Sequence, residues 1–463
     1  MNFWTKEKLI EAYPYCRLHN MPTDWTGSGL RIWYEDFEQD NMALIRCEGE
    51  KRGIVPLHRD LIMDKASALV CSKGNAQSLF HYGKPVIEVD STDDVIFEYA
   101  KYIRGHYKGK VIAITGSAGK STTTSMVYDI LKSYGASSNL NKANTSWGIG
   151  WNLTTFNIDS PYWIVETSLG GGMIRNSALT IPDIAIVTTI APVHLYENET
   201  LRDVAFRKSK IFNSMKAGST AIIYKEIPYF DIFEDAINLR KIKLITVGES
   251  EDCDIRINAE KSNIIEIRGK KYDVFGGGAL IPKHILLDMG MAIAAAIECG
   301  ITPDEAIEKL NEFKQLAGRG EIFTGKIAPD RFITLVDESY NANPVSMKAS
   351  LEGFYRIYGD DDKKRLLILG GMTEGGKDSL KYHLELESTI REVKPSRILL
   401  CSEEMKPLWD KLKVDFAGEY YQNADDLNKD VKNWIKDGDY IFIKSSHSIG
   451  LFKTASLLKK ALD

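Results

Sequence analysis

The segment VIAITGSAGKSTTT, Val111–Thr124, joins a short apolar run to a glycine-containing turn and then to a run of serine and threonine. This order predicts a buried strand, a phosphate-binding loop and the first turn of a helix. Glycines let the loop backbone turn its N–H groups towards a phosphate, a lysine supplies positive charge, and a serine hydroxyl can ligate Mg²⁺. The predicted nucleotide-binding positions of the loop are Gly116, Ser117, Gly119, Lys120, Ser121 and Thr122.

The spacing of this loop departs from the longer GxxxxGK[ST] pattern, because Ile114 stands where that pattern has its first glycine. The shorter form TGxxGK[ST] is what the sequence contains. A glycine-rich turn without a ligand is the alternative interpretation. The preceding strand, the adjacent Lys120 and Ser121, and the following helix together favour the phosphate loop.

The amino-acid composition limits the classes of protein to which this chain can belong. The 463 residues include 59 Lys and Arg against 64 Asp and Glu, a formal charge of −5, with 44% hydrophobic and 27% charged residues. These values are typical of a globular protein and argue against a dedicated nucleic-acid binder, since there is no large positive field. Six scattered cysteines without a CxxC pair indicate a reducing compartment. With no signal-peptide region and no apolar stretch free of charges, we expect a cytoplasmic protein without a membrane span.

Short β-branched runs alternate with helix-like segments from Val111 onward, and a second such series begins near Phe332. This alternation predicts an α/β fold with mostly parallel sheets. Between Asp252 and Leu280 shorter alternating strands predict a small antiparallel patch. We predict three domains, each long enough to bury its own core. They are residues 1–108, a central P-loop-type parallel-sheet domain at 109–318, and a Rossmann-like C-terminal domain at 319–463.

Three further residues carry chemistry downstream of the loop: Glu166 at the end of a predicted strand, His194 and Lys208. Each alone has an ordinary interpretation, as a solvated carboxylate, a loop histidine or a surface lysine. Open α/β sheets bind ligands at the carboxyl ends of their strands, where the phosphate loop also lies. Their common placement there favours one shared site.

Seven segments occur in the order found in the Mur ligase family, which the chain resembles from about Asp40 to its C-terminus. Within the family, DESYNANPVSMKASL resembles the signature of the branch that ligates D-alanyl-D-alanine to UDP-N-acetylmuramoyl-tripeptide (the MurF branch). LGGMTEGG and KSSHS are weaker matches to that branch. The seven segments are TGSAGKSTTT, NTSWG, IVETSLGGGMI, TTIAPVHL, FRKSKIF, GRGE and DESYNANPVSMKASL.

The resemblance implies ATP and Mg²⁺ as cofactors, and a carboxylate activated as an acyl phosphate for attack by an amino acid or dipeptide amine. The first domain would bind the carboxylate acceptor and the third the amine. The implied catalytic residues are Lys120, Glu166, His194 and Lys208, the last carbamylated, and the implied metal ligands are Ser121, Glu166, His194 and Lys208. Further nucleotide contacts would come from His284, Asp288, Arg319, Asp337, Tyr340 and Asn341. Substrate contacts would come from Asn144, Thr145, Asn343, Glu374, Lys444, Ser446 and His447.

Several positions depart from the branch pattern. Lys210 replaces a glutamate, Asp288 an asparagine and His447 an arginine. A leucine is missing after Glu374, and a Ser-x-Arg segment that grips the uridine nucleotide is changed to SGLR, Ser28–Arg31. The ATP chemistry is therefore predicted to be intact, whereas both substrate pockets are predicted to be altered.

We therefore predict a monomeric ATP-dependent amide ligase of the MurF type, with an acceptor outside peptidoglycan left open and the cell-wall pair a poor substrate. The alternative is the authentic cell-wall ligase. A P-loop ATPase or kinase needs no third domain carrying Arg319 and the SYNAN segment. A catalytically inactive relative is disfavoured by the intact lysines and Glu166.

Overall fold

The computed structural model describes residues 2–139, 143–170, 172–192, 199–259, 262–275, 280–359, 364–373 and 376–462. Their strands form one two-stranded sheet and three larger sheets of five, nine and six strands. The three larger sheets follow one another along the chain and are mostly parallel, with helices between the strands. The predicted α/β class is confirmed, and the domain bounds 1–108, 109–318 and 319–463 stay a prediction. We call the parts of the chain that carry these sheets the first, central and third regions.

The first region contains the five-stranded sheet, in which β4 to β7 are parallel and β2 is an antiparallel edge strand. Its long helix begins where the Ser91 side chain accepts the backbone N–H of Asp94, which is ordinary N-capping. The elements are β1 (Trp4–Thr5), α1 (Lys6–Ala12), β2 (Arg17–His19), β3 (Thr26–Gly27), β4 (Gly29–Arg31), β5 (Asn41–Leu44), α2 (Pro56–Arg59), β6 (Ala68–Ser72), β7 (Val86–Val89) and α3 (Thr92–His106).

The central region contains the nine-stranded sheet, in the order β16-β15-β14-β13-β12-β11-β8-β10-β9. Its last three strands along the chain pair antiparallel with one another, as the alternating segment predicted, and the first of the three pairs parallel with the strand before it. The elements are β8 (Lys110–Thr115), α4 (Lys120–Leu131), β9 (Ser137–Ser138), α5 (Ser146–Thr155), β10 (Tyr162–Glu166), α6 (Met173–Thr180), β11 (Ile184–Val187), α7 (Leu201–Ser209), β12 (Thr220–Tyr224), α8 (Phe230–Arg240), β13 (Lys243–Gly248), β14 (Ile255–Asn258), β15 (Ile264–Ile267), β16 (Lys270–Asp273), α9 (Lys283–Glu298) and α10 (Pro303–Asn311).

Strand β8 lies inside this sheet, and its residues Val111 to Ile114 are fully buried, which explains the apolar run in the sequence. The chain leaves β8 for β9 and β10 on one side and later returns to β11 on the other. The strand order therefore reverses at β8. The loop that follows β8 opens at this switch point, where open α/β sheets bind ligands.

The third region contains the six-stranded sheet, in the order β17-β18-β22-β19-β20-β21. The sequence predicted four of these strands and missed the hairpin strand β17 and the edge strand β21, in which Gly325 is the one buried residue. The elements are β17 (Glu321–Ala328), β18 (Arg331–Glu338), α11 (Pro344–Tyr358), β19 (Arg365–Gly370), α12 (Ser379–Val393), β20 (Arg397–Cys401), α13 (Lys406–Leu412), β21 (Ala417–Tyr421), α14 (Ala424–Trp434), β22 (Asp439–Lys444) and α15 (Leu451–Lys459).

One apolar cluster contains residues of both the first and the central regions, in addition to the clusters that lie within each region. Tyr107 at the end of α3 stacks on Trp163 of β10, with ring centroids 3.6 Å apart. Gly29 of β4 lies so close to α5 that an added Cβ would be 2.7 Å from the backbone of Thr155. The first region is therefore fixed to the central one by continuous packing.

Candidate functional site

The loop between β8 and α4 has the backbone geometry expected of a phosphate loop. Gly119 has a φ of 82° and precedes the first residue of α4, so no side chain caps the start of this helix. A Cβ on Gly116 would lie 1.9 Å from Thr188 Oγ1, and one on Gly119 would lie 2.6 Å from Asp288 Oδ1. Only glycine fits at these two positions. An uncapped helix start with glycine access favours an anionic ligand.

A cavity of about 580 Å³ opens at this loop between the central and third regions. Its wall brings together residues that the sequence predicted from seven separate segments. The predicted residues that line it are Ser117, Gly119, Lys120, Ser121, Thr122, Asn144, Thr145, Glu166, His284, Asp288, Arg319, Tyr340, Asn341, Asn343 and Lys444.

Glu166, at the end of β10, presents a buried carboxylate to this cavity. The side chain of Asn144 donates a hydrogen bond to its Oε1 at 2.7 Å, which fixes its orientation. Among the described residues no cation pairs with Glu166, and the Ser121 hydroxyl lines the same cavity. A carboxylate and a hydroxyl are the oxygen ligands that Mg²⁺ prefers, so these residues fit that ion. The third predicted ligand, His194, lies outside the described residues.

Lys120 and Lys208 both donate hydrogen bonds to the carbonyl oxygen of Gly116, each at 2.8 Å. Lys208 comes from α7 and is only 2% exposed. Burial, followed by the charges of Lys120 and Arg207, holds the pKa of Lys208 well below its usual range. Lys208 therefore lies against the phosphate loop, and burial favours the neutral form of its amine.

Asp288, on α9, contacts the phosphate loop from the opposite side. Its Oδ1 accepts a hydrogen bond from the Thr123 hydroxyl at 3.0 Å. Burial raises the pKa of Asp288 to about 8, although Thr123 and Arg319 oppose the shift. A neutral carboxyl beside the loop adds no negative charge where phosphates would bind.

The third region supplies the opposite wall of the cavity. Arg319 lies over the ring of Tyr340, with its guanidinium carbon 4.2 Å from the ring centroid. Glu338 pairs with Lys444 at 3.1 Å and lies 3.7 Å from Nε2 of His284, which belongs to the central region. Burial alone would raise the pKa of Glu338, but Lys444 and His284 outweigh it and lower the pKa to about 2.

The structure does not place every predicted residue at the cavity. Successive side chains of a strand point to opposite faces, and at the end of β18 Glu338 faces the cavity whereas Asp337 faces away. Asp337 pairs with Lys459 of α15 at 2.7 Å. The predicted nucleotide contact by Asp337 therefore has no support from its position, and the neighbouring acid occupies the place expected for it.

The predicted amine-binding residues near the C-terminus also differ in placement. Ser446 is buried and its hydroxyl accepts the backbone N–H of Thr373 at 3.0 Å, which ties two loops together. His447 is exposed and stacks on Phe452 with ring centroids 4.6 Å apart. Neither lines the cavity. Glu374 lies outside the described residues.

Asn343 combines a wall position with a structural task. The side chain of Asn343 accepts the backbone N–H of Ser346 at 2.8 Å, and the Ser346 hydroxyl accepts the backbone N–H of Asn343 at 3.0 Å. This capping box begins α11. The asparagine-rich segment is thus a helix start as well as part of the cavity.

Arg207 and Thr189 are among the wall residues that the sequence did not predict. Arg207 pairs with Glu199 at 2.9 Å and lines the cavity one residue before Lys208. Thr189 accepts the backbone N–H of Ala118 in the phosphate loop at 3.0 Å. Both residues lie within the FRKSKIF and TTIAPVHL segments, so their position next to predicted site residues could have indicated them.

The SGLR segment of the first region is used within the fold. The guanidinium of Arg31 is buried, donates to Asn41 Oδ1 at 3.2 Å and pairs with Glu38 at 3.3 Å. The Ser28 hydroxyl accepts from the Asn41 side chain at 2.6 Å. These groups are already satisfied by protein partners.

Comparison with known proteins agrees with this geometry. Residues 114–296 match the Mur ligase middle domain and residues 318–447 the Mur ligase glutamate ligase domain. The UDP-N-acetylmuramoyl-tripeptide–D-alanyl-D-alanine ligase of Bacillus subtilis (strain 168) is 26% identical over 381 residues, 79% of each chain.

Solved structures show the same fold. A crystal structure of MurF from Acinetobacter baumannii covers 98% of this chain and 99% of its own, with a TM-score of 0.80 at 18% identity. MurF from Thermotoga maritima in complex with ADP has a TM-score of 0.74 at 19% identity and covers 94% of this chain and 97% of its own.

None of the helices in the described ranges has the length and apolarity needed to cross a membrane. The matched middle domain lies in the central region, which forms one wall of the cavity. The matched glutamate ligase domain lies in the third region, which forms the other wall. On the matched domains, the relatives and the shared fold, the chain belongs to the Mur ligase family, and its relatives are of the MurF branch.

Proposed function

We propose that this chain is the ATP-dependent ligase that joins the carboxylate of UDP-N-acetylmuramoyl-tripeptide to the amine of D-alanyl-D-alanine, releasing ADP and phosphate. The curated relatives carry the name of this reaction, and they span most of the chain. Of the two versions of the ligase prediction, these relatives favour the authentic cell-wall reaction over a different acceptor.

The observation that carries the proposal is the two-sided cavity. The phosphate loop and Glu166 form one wall, and Arg319 and Tyr340 of the third region form the other. A simple P-loop ATPase or kinase has no need of the second wall. A ligase does, because its acyl phosphate must be kept from water until the amine arrives.

The first chemical step transfers the γ-phosphate of ATP to the acceptor carboxylate. A carboxylate oxygen forms the new P–O bond as the bond to ADP breaks, so negative charge gathers at the phosphate loop. Lys120 and the N–H groups at the start of α4 would neutralise that charge, with Arg319 acting from the third region. A Mg²⁺ ion held by Ser121 and Glu166 would add positive charge at the phosphates.

The second step is attack of the amine on the acyl carbon. The C–N bond forms, phosphate leaves, and the amine loses a proton. The third region holds the buried Glu338–Lys444 pair on its wall of the cavity. That pair would fix the shape of this wall for both the nucleotide and the incoming amine.

Lys208 is the predicted carbamylation site. A neutral amine can attack CO₂, forming an N–C bond and releasing a proton, and burial favours the neutral form of this amine. The product carries a negative charge, which the neutral amine does not. It would therefore serve as a carboxylate-like ligand close to Gly116.

The test is an ADP-release assay with ATP, UDP-N-acetylmuramoyl-tripeptide and D-alanyl-D-alanine, omitting each in turn, with mass-spectrometric detection of product. We expect turnover only when all three are present, at a kcat/KM of about 10⁴ M⁻¹s⁻¹ or more. Release of ADP without the amine would favour an ATPase. Turnover confined to other carboxylates would restore the alternative acceptor.

A further inference from the structure

Four side chains form a stack on the first-region side of the cavity. The guanidinium of Arg52 lies 4.1 Å from the ring centroid of Trp147, and that of Arg175 lies 4.8 Å from the ring centroid of Phe97. The two rings meet edge to face at 6.0 Å. We call Arg52, Trp147, Phe97 and Arg175 the aromatic ladder. It joins four separate elements: the loop after β5, α5, α3 and α6.

The aromatic ladder lies next to the cavity. Trp147 stands on the first turn of α5, two residues after Thr145, which lines the cavity. Arg175 stands on the first turn of α6, which follows the cavity-lining residues 168–170. The rim of the cavity and the ladder are therefore parts of the same two helix starts.

Hydrogen bonds hold these helix starts together. The backbone N–H of Ser146 donates to Gly170 O at 3.0 Å, and its hydroxyl donates to Asn176 Oδ1 at 2.6 Å. The Asn176 side chain donates in turn to Ser168 O at 2.7 Å. A surface built on such a linked frame keeps its shape when a ligand binds.

The chemistry of the ladder favours anions. A guanidinium that lies over a ring uses its face, so its N–H donors stay at the edge for a phosphate or carboxylate. Arg52 uses one donor on Asp93 at 3.3 Å. Within the described part of the chain, Arg175 has no carboxylate partner. Two exposed, planar cations thus lie at the two helix starts that carry the rim of the cavity.

Arg31 is not available to bind an anionic ligand in the same way. It is the arginine of the SGLR segment, and its donors are engaged with Asn41 and Glu38 inside the fold. Its guanidinium also lies 5.4 Å from the ring of Trp151. An anionic acceptor that reaches the cavity from the first region must therefore find its cations elsewhere.

We propose that the aromatic ladder binds the anionic part of the acceptor substrate away from its reacting carboxylate, with Arg175 and Arg52 as specificity-determining residues. This inference rests on the proposed function for the identity of the acceptor. The shared chemistry is a phosphate or carboxylate group held by a stacked guanidinium. In UDP-N-acetylmuramoyl-tripeptide the group is either the diphosphate or a carboxylate of the peptide.

A purely structural stack predicts a different result. In that case removal of either arginine would lower the stability of the protein and leave substrate affinities unchanged. The two interpretations separate when affinity and stability are measured on the same variants.

The experiment compares Arg175→Ala, Arg175→Lys and Arg52→Ala with the wild type in the full-length chain. Arg391→Ala is the matched control, because Arg391 also lies over a ring, Phe416, and pairs with an aspartate, Asp415. Calorimetric titrations use UDP-N-acetylmuramoyl-tripeptide, UDP and the free tripeptide as separate ligands. Steady-state assays give KM for the acceptor, for ATP and for D-alanyl-D-alanine.

We expect Arg175→Ala to weaken acceptor binding about tenfold or more, with Arg175→Lys intermediate and Arg391→Ala unchanged. KM for ATP and for the amine should change less than about twofold, since the ladder is outside the nucleotide wall. A loss that extends to UDP assigns the ladder to the diphosphate, and a loss that extends to the free tripeptide assigns it to a peptide carboxylate. Either outcome supports the proposal.

Unchanged acceptor affinity in both alanine variants would overturn it, whatever their stability. The proposed function can fail separately. If the wild type binds UDP-N-acetylmuramoyl-tripeptide through the ladder but forms no product with D-alanyl-D-alanine, the ladder stands and the proposed reaction falls.

Discussion

On the side of the first region the central sheet shares a continuous apolar core, whereas on the side of the third region it borders a polar cavity of about 580 Å³. Trp163 is fully buried on the first side, stacked on Tyr107. On the other side, where Gly353 packs on Pro282, the links also include polar ones, such as Arg356 donating to Ser262 O at 3.1 Å and His284 beside Glu338. The first region is therefore fixed to the central region by apolar packing. The third region has polar contacts with the central region that water can replace.

This difference fits the two tasks that a ligase gives to its outer regions. The acceptor must be held in a fixed place relative to the phosphate loop, and packing of apolar side chains provides that. The third region has to admit ATP and amine and then exclude water. Polar contacts of about 1 kcal/mol each permit such movement, while a shared core does not.

Lys120→Ala tests the polar side with the largest expected effect. The substitution removes the positive charge at the phosphate loop, so we expect turnover to fall by about 10³-fold or more. Unfolding free energy should stay within about 0.5 kcal/mol of wild type, because the residue is partly exposed at the start of α4 and its side chain lies at the cavity rather than in an apolar core. Steady-state ADP release and denaturant unfolding measure the two quantities. Lys132→Ala, at the far end of α4, is the control. Normal turnover in Lys120→Ala would remove the phosphate-loop assignment.

Lys208→Ala tests the buried amine under the same loop. We expect the loss of most activity, with partial rescue by short carboxylates that restore a negative group beside Gly116. Mass spectrometry of the native protein should show a carbamate on Lys208 when bicarbonate is present. Lys210→Ala is the matched control, since Lys210 lies over the Phe206 ring 3.6 Å away and is outside the cavity. An unmodified lysine in an active ATP–Mg²⁺ complex would contradict the carbamate.

Trp163→Ala breaks the apolar side. Removing this fully buried ring should lower the free energy of unfolding by about 3–5 kcal/mol. Arg356→Ala, on the polar side, should lower it by only about 1–2 kcal/mol, because it removes hydrogen bonds and leaves no cavity in a core. Urea unfolding of both variants gives the comparison. Equal effects would mean that the two sides are held equally firmly.

Local sequence predicted the polar side well and the apolar side poorly. The phosphate loop, Glu166 and the GRGE turn lie in short segments in which neighbouring residues already indicate the chemistry. Residues of all three line one cavity in the structure. The shared core depends on which helix of one region meets which strand of another, so no single segment reveals it. Whether Arg31 is available to a ligand also depends on Asn41 and Glu38, which other parts of the fold bring to it.

Asp288→Asn tests whether the pKa of the buried carboxyl group beside the phosphate loop is raised. The pKa of Asp288 is raised to about 8, against about 3.9 in an unfolded chain. The folded protein therefore binds this proton more tightly, and stability contributed by Asp288 is present below about pH 4 and is lost as pH rises to about 8. Asparagine cannot ionise, so the variant should gain stability over wild type as pH rises. The gain has an upper limit on the order of 5 kcal/mol.

Thermal unfolding at pH 5 and pH 9 checks this expectation. The stability difference between Asp288→Asn and wild type should be larger at pH 9. A difference that does not change with pH would show that Asp288 titrates normally. Asp254→Asn serves as a control, because Asp254 accepts hydrogen bonds from Thr246 in a loop away from the cavity.

The smallest effect is expected from Asp337, and it separates two adjacent acids that sequence alone could not tell apart. Asp337→Asn keeps an oxygen to accept the Ser339 backbone N–H at 2.9 Å and removes the charge that pairs with Lys459. Since Lys459 is partly exposed, the loss of stability should be about 1 kcal/mol, and KM for ATP should stay within about twofold. Glu338→Gln should instead raise KM for ATP by about tenfold, because it disturbs Lys444 and His284 at the cavity wall. If Asp337→Asn raised KM for ATP while Glu338→Gln did not, the strand would present the opposite face to the nucleotide from the one in this structure.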